Sequence, residues 1–299
     1  MTLHLTGIHV PLVTPFTDSG ELAATHLERL AHTVIDEGAA GIVALGTTAE
    51  PATLSPQERR DVLRICSRVC GERGVPLLVG AGSNSTADTV RAIDEVDRQA
   101  DVAAVLAVVP YYTRPSEAGV VAHFEHVADR SPRPLVLYNI PYRTGQHLGW
   151  ESVLRLSEHP RIVGVKQAVG AVDTDTALLL SQAADTFSVL AGEDALVSPL
   201  LAMGAAGAIA ATANVCTPEL AELFRLWRNG TPAQARTLGQ RLVPLVCRLM
   251  SEPNPTVVKA VLHAQGRIPT PDVRLPLLPA GEPSAIVAAL EQLRLQYAA

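Results

Sequence analysis

The chain has 299 residues, 47% of them apolar, with 24 Lys and Arg against 30 Asp and Glu for a net charge of −6. That length and apolar content allow two ordinary domains or one large α/β barrel. The basic residues are scattered and the balance is acidic, which argues against a nucleic-acid binder and against docking on acidic membranes.

The opening stretch Met1-Thr2-Leu3-His4-Leu5 lacks the charged region and long apolar run of a signal peptide, so a cytoplasmic chain is expected. Short apolar runs then recur at intervals of roughly 25 to 30 residues, the length of one βα unit. Eight strand candidates result, at 9–16, 41–46, 76–82, 102–110, 135–141, 162–166, 188–192 and 207–215. Helical patterns lie between them. Leu27, Leu30, Val34 and Ile35 share one helix face. Ser55-Pro56-Gln57-Glu58 opens a helix, with Ser as the cap, Pro in the first turn and an acid to meet the helix dipole. Ser85-Thr86-Ala87-Asp88 and Ser116-Glu117 open the next two. Cys66 and Cys70 sit four apart on a helix with no further ligands to complete a tetrahedron, so they read as small buried hydrophobes. His123 and His126 share a helix, also without a third ligand. No metal site is expected.

The stretch 195–215 is the most apolar. Gly204 and Gly207 interrupt it, so it reads as a buried helix and a buried strand rather than a membrane span. After residue 217 the strands stop. Helices are expected over 218–229, 232–250, 255–264 and 283–297, with a proline-rich irregular connector over 268–283. The pattern predicts an α/β fold, a (β/α)8 TIM barrel over 1–229 with a C-terminal helical extension over 230–299. An open doubly wound sheet calls for a Gly-rich phosphate loop after the first strand, and Pro15-Phe16-Thr17 has none.

Barrel enzymes build their sites from the C-terminal ends of the strands. Strand six ends in Arg161-Ile162-Val163-Gly164-Val165-Lys166, a run apolar on both faces that terminates in a charge. An ammonium there loses hydration, which favours the neutral amine, and a neutral amine attacks carbonyls to form a Schiff base. Strand two ends in Gly46-Thr47-Thr48-Ala49-Glu50, a turn whose N–H and O–H groups suit a small carboxylate. Strands four and five end in Pro110-Tyr111-Tyr112-Thr113-Arg114-Pro115 and Tyr138-Asn139-Ile140-Pro141-Tyr142-Arg143, so four of the five tyrosines cluster there. Tyr138 is one strand from Lys166 and suits general acid and base work. Arg143 suits a bidentate grip on a carboxylate. Gly192 on strand seven and the small residues around Ile209 on strand eight leave room against the lysine. A 2-oxo acid offers a ketone to the amine and a carboxylate to the threonines, so class I aldolase chemistry without a metal is expected.

These marks resemble the dihydrodipicolinate synthase and N-acetylneuraminate lyase family of pyruvate-dependent class I aldolases. They run in order: Val13-Thr14-Pro15-Phe16, Gly46-Thr47-Thr48 with Glu50, Tyr111-Tyr112 within 110–115, Tyr138-Asn139-Ile140-Pro141 with Arg143-Thr144-Gly145, Gly164-Val165-Lys166 and Thr212-Ala213-Asn214. The resemblance implies a Schiff base between Lys166 and pyruvate. It implies a proton relay of Tyr138, Thr48 and Tyr112, with Tyr112 entering from a neighbouring subunit of a homodimer or homotetramer. Thr47 and Thr48 then hold the pyruvate carboxylate, and Ile209 lends its backbone carbonyl. Arg143 matches the arginine that binds the aspartate semialdehyde carboxylate in the synthase branch, on the route to diaminopimelate and lysine. The alternatives are the same chemistry on a sugar-derived substrate and a silent barrel that binds a 2-oxo acid. Two positions depart from the pattern. Ala49 replaces a glycine, and Gln167 stands where synthases carry Glu or Asp and N-acetylneuraminate lyases often carry Gln. Asn84, Asp88 and Tyr111 resemble part of the lysine-inhibition site, whereas Pro51, Pro56 and Arg59 do not, so lysine inhibition is expected to be weak or absent.

Overall fold

Eight apolar runs become eight parallel strands that close on themselves: β1 (Gly7–Pro11), β2 (Gly41–Ala44), β3 (Leu77–Gly80), β4 (Ala104–Val108), β5 (Leu135–Asn139), β6 (Ile162–Gln167), β7 (Ser188–Ala191) and β8 (Gly207–Ile209). The computed structural model describes residues 3–298; Met1 and Thr2, part of the N-terminal reading, lie outside it. Each strand pairs with the next, and β8 returns to β1 with Gly7 opposite Gly207 and His9 opposite Ile209. The strands read as continuous apolar runs because both faces are covered. One face looks into the barrel, where Val43, Leu78, Leu106, Val136, Leu190 and Ile209 meet. The other looks out to the helices, where Ile42, Val79, Val105 and Leu137 pack.

The helices α1 (Ala24–Asp36), α2 (Pro56–Arg73), α3 (Thr86–Gln99) and α4 (Glu117–Arg130) follow β1 to β4. The serine signals hold: the side chains of Ser55, Ser85 and Ser116 accept from the third helical residue's N–H, and Ser55 forms a reciprocal capping box with Glu58. Each such cap contributes about 1 kcal/mol. A short turn of helix α5 (Pro141–Thr144), then α6 (Trp150–Ser157), α7 (Thr174–Gln182) and α8 (Val197–Ala202) complete the inner circuit. Helix α9 (Ala213–Arg228) closes the barrel against β1, and the extension holds α10 (Pro232–Leu249), α11 (Thr256–Ala264) and α12 (Ser284–Ala298). No helix among the described residues is long and apolar enough to cross a membrane.

The eighth strand is shorter than the sequence suggests. It stops at Ile209, and Ala213 to Val215 already belong to α9. The Ala-rich run 205–213 carries no periodicity to separate strand from helix. Pro218 marks a second helical segment, since Cys216 has non-helical angles (φ −126, ψ 47) that kink α9 there. Most other candidate strands also end two to five residues early in the structure, because their last apolar residues belong to the turns at the barrel mouth. Cys66 and Cys70 are buried and unpaired, as small hydrophobes.

The barrel interior holds a buried histidine. Neither ring nitrogen of His9 bonds another side chain among the described residues, and burial lowers its pKa to about 4. Gly41 makes room for it: a Cβ at that glycine would stand 2.6 Å from His9 Nδ1. A depressed pKa means the unfolded chain binds the proton more readily, so the stability held by neutral His9 is full above the unfolded value of about 6.5 and is lost as pH falls toward 4. At pH 5 the loss is about 2 kcal/mol. His123, also lowered to about 4 by burial, adds in the same direction. His9→Leu is expected to flatten the fall in Tm between pH 7 and pH 5 by about 3 °C. Parallel curves for the two proteins contradict this.

Candidate active site

A register shift builds the site. Leu135 pairs with Ile162, but Val136 pairs with Gly164, so β6 carries one extra residue, Val163. Such a bulge re-aims the side chains beyond it. Here it brings Lys166 opposite Tyr138 instead of Val165, and both turn inward. Lys166 Nζ lies 4.3 Å from the centre of the Tyr138 ring. The two side chains are nearly buried, at 8% and 7% exposure. Gly192, just past the end of β7, is shaped by the lysine. A Cβ there would come within 2.7 Å of Lys166 Cγ and 3.0 Å of its Cε. Gly192 needs no unusual φ, so Gly192→Ala tests side-chain crowding alone. It is expected to displace the amine and cost about 10²-fold in turnover with little change in Tm. Turnover within threefold of native in a steady-state assay contradicts that.

Strand two ends in a 3-10 turn, Thr47–Ala49, with Ala49 N–H bonded to Gly46 O at 2.9 Å. Ala49 itself is helical. The left-handed residue is Glu50, with φ 55, so the methyl at position 49 meets no backbone objection. Thr14 Oγ1 donates to Ala49 O at 2.8 Å and ties the turn to the end of strand one. Thr48 is buried and its Oγ1 accepts from Asn254 Nδ2 at 2.9 Å. A cleft of about 1130 Å³ opens over this turn and is lined by Thr47, Tyr138, Arg143, Tyr111, Asn254 and Arg274 among others. Lys166 contributes no surface to it. The amine lies against the Tyr138 ring, which does line the cleft. Asp88, Pro51, Pro56 and Arg59 line the same cleft farther out.

Arg143 is exposed at the start of the strand-five turn. Its Nε donates to Tyr142 Oη at 3.1 Å, and it forms no ion pair among the described residues, so its charge is open to a ligand. Glu193 lies half-buried near it. Burial first, then the neighbouring Asp194, hold the Glu193 carboxyl above its ordinary range, while Lys166 and Arg143 pull it down. Asp194 is fully buried, which raises its pKa, and accepts from Thr212 N–H at 2.6 Å. Ile209 ends β8 with no exposure.

One expected member, Tyr112, and one departure from the family pattern, Gln167, lie outside the cluster. Tyr112 does not join its own chain's cluster: it is 85% exposed with φ 69, and Arg114 beside it has φ 49. A bulky residue at positive φ is an outlier held by its surroundings. Arg114 Nε donates to Gly145 O at 2.9 Å and braces this turn on the strand-five turn. Gln167 points away from Lys166. Its Oε1 accepts from Asn139 Nδ2 at 3.1 Å and its Nε2 donates to Thr176 Oγ1 at 3.2 Å. An amide is needed there to serve both neighbours, so the departure at 167 concerns packing rather than substrate.

The sequence reading missed Glu50 as an anchor, together with Lys259 and Asn254 of the extension. A signal existed. Lys166 and Lys259 are the only two lysines; every other Lys or Arg position is arginine. Lys259 also stands alone among apolar residues in Thr256-Val257-Val258-Lys259-Ala260-Val261-Leu262, as Lys166 does in β6. Among the described residues no group of three or more His, Cys, Asp or Glu is placed to hold a metal.

The chain has clear relatives. A model of the dihydrodipicolinate synthetase family matches residues 4–291. The 4-hydroxy-tetrahydrodipicolinate synthase of Thermodesulfovibrio yellowstonii is 40% identical over 271 residues, 91% of this chain and 91% of its own length. The solved 4-hydroxy-tetrahydrodipicolinate synthase from the methanotroph Methylacidiphilum fumariolicum SolV matches with a TM-score of 0.92 at 36% identity, covering 99% of this chain and 98% of that one. A chloride-inhibited dihydrodipicolinate synthase from Acinetobacter baumannii, solved with pyruvate, matches with a TM-score of 0.92 at 34% identity over 97% of this chain and 99% of that one.

Proposed function

The chain belongs to the dihydrodipicolinate synthetase family, and on that premise we propose that it condenses pyruvate with aspartate semialdehyde, the 4-hydroxy-tetrahydrodipicolinate synthase reaction of its relatives. The observation that carries the reading is Lys166 facing Tyr138 across adjacent strands, 4.3 Å from amine to ring centre, beneath a cleft that also holds Thr47 and Arg143.

The Lys166 amine attacks the ketone carbon of pyruvate, and loss of water leaves an imine. Thr47 and Thr48 hold the carboxylate through hydroxyl and backbone donors, Ile209 offers its backbone carbonyl, and Gly192 leaves the amine its space. The iminium draws electrons from the methyl carbon, a proton leaves, and an enamine forms. Its carbon attacks the aldehyde, a carbon–carbon bond forms, and the aldehyde oxygen takes up a proton; the acceptor's amino group then attacks the imine carbon, closing the ring and releasing the Lys166 amine. Tyr138, Thr48 and Tyr112 pass these protons. Arg143 receives the acceptor's carboxylate. The covalent imine is the electron sink, so these steps call for neither a cofactor nor a metal.

Tyr112 brings in a second copy of the chain. An exposed phenol on a braced turn at positive φ is suited to reach a neighbour's relay, which makes the working unit a homodimer or homotetramer. Four free cysteines fit the reducing cytoplasm.

The test holds pyruvate constant and varies the aldehyde. Aspartate semialdehyde is expected to exceed sugar-derived aldehydes by about 10²-fold or more in kcat/KM, because only it meets Arg143 with a carboxylate. A preference for the sugar-derived partners moves the chain to the lyase branch. No turnover with any of them marks a silent binding barrel.

A further inference from the structure

The turn that carries Thr47 and Thr48 is held from the far end of the chain. Glu50 closes that turn, and its Oε1 accepts from Lys259 Nζ at 2.9 Å, with side-chain exposures of 2% and 0%. Its Oε2 accepts from the backbone N–H of Arg274 at 2.9 Å. The same Lys259 Nζ lies 4.1 Å from the centre of the Phe16 ring, and Arg274 Cζ lies 4.2 Å from it. Thr270 Oγ1 donates to Phe16 O at 2.9 Å. Five residues earlier than Lys259, Asn254 Nδ2 donates to Thr48 Oγ1 at 2.9 Å. The extension thus grips strand ends one and two at once.

Fold stability alone is a weak reason for this arrangement. A buried ion pair is often replaceable by apolar residues of similar volume without loss, since desolvation offsets the attraction. Yet this chain spends one of its two lysines here and uses arginine everywhere else. What the pair does fix is direction. Both Glu50 oxygens are occupied by the extension, so the turn cannot slide along the barrel rim. The Thr48 hydroxyl has two acceptor lone pairs and one proton. Asn254 fills a lone pair, and Thr48 Oγ1 makes no other hydrogen bond among the described residues. Its proton is left free to donate.

We propose that Lys259 and Asn254 are positioning residues of the extension, which hold the Thr47–Thr48 carboxylate seat in register with Lys166. The inference rests on reading that turn as the pyruvate seat. The test uses the full chain as two variants, Asn254→Ala and the double Glu50→Gln/Lys259→Met, which removes both buried charges together. Melting temperature, pyruvate KM, kcat, and borohydride trapping of pyruvate on Lys166 are read for each. Pyruvate KM is expected to rise about tenfold or more with a smaller change in kcat, the pattern of lost binding that ground state and transition state share. Lys166 is still labelled at saturating pyruvate. Asn254→Ala leaves the buried pair intact and decides the question if the double variant does not fold. A lowered Tm with pyruvate KM within twofold of native, in a variant that folds, overturns the inference and leaves the functional reading standing. No label on Lys166 in the native protein overturns that reading, and the inference with it.

Discussion

Lys166→Ala is expected to lower turnover by about 10⁴-fold or more and to leave the protein folded. Loss of a covalent nucleophile removes the route by which the ketone becomes an electron sink, and losses of that order follow removal of a nucleophile in other covalent enzymes. Folding should survive because the lysine stands at the open end of β6, where its side chain lies against a tyrosine ring and forms no salt bridge among the described residues. Alanine fills less space than the native side chain, and Gly192 beside it tolerates the change. A steady-state assay with pyruvate and aspartate semialdehyde, with a thermal melt on the same preparation, checks both parts. Turnover within tenfold of native contradicts the assignment of Lys166.

Tyr138→Phe separates the ring from its hydroxyl. The ring packs under the amine and stays, so the lysine keeps its place. The proton route is lost, and a general acid–base group of this kind is worth about 10²- to 10⁴-fold. Turnover is expected to fall by about 10³-fold while pyruvate still labels Lys166, though more slowly. Equal loss of turnover and of labelling shows instead that the phenol is needed to place the amine. Unchanged turnover removes Tyr138 from the relay.

The fold was legible because fully buried strands leave long apolar runs, and serine caps mark the helices between them. Ser55, Ser85 and Ser116 announced α2, α3 and α4 from their side-chain chemistry alone. The end of β8 was not legible, since an Ala-rich run reads alike as strand or helix. Lys166 stood out as a charge closing an apolar strand, and the same logic applied to Lys259 would have found the second buried lysine. Strand ends belong to the barrel, whereas Lys259 lies in α11 of the extension. The extra residue at Val163 was beyond reach. Register between two apolar parallel strands depends on how they pair in space, and β6 alternates apolar residues on both faces. That shift is nonetheless what sets Lys166 against Tyr138. Gln167, adjacent in sequence to the lysine, looked like a sign of substrate choice. It faces Asn139 and Thr176 in the outer layer instead.

The central claim is that Lys166 forms an imine with pyruvate. Only two lysines and the terminal amine compete for the label, so borohydride reduction in the presence of pyruvate, followed by peptide mass mapping, gives a direct reading. One reduced pyruvyl group per chain on the peptide that carries Lys166 is the predicted result. No adduct, or an adduct on Lys259, contradicts it.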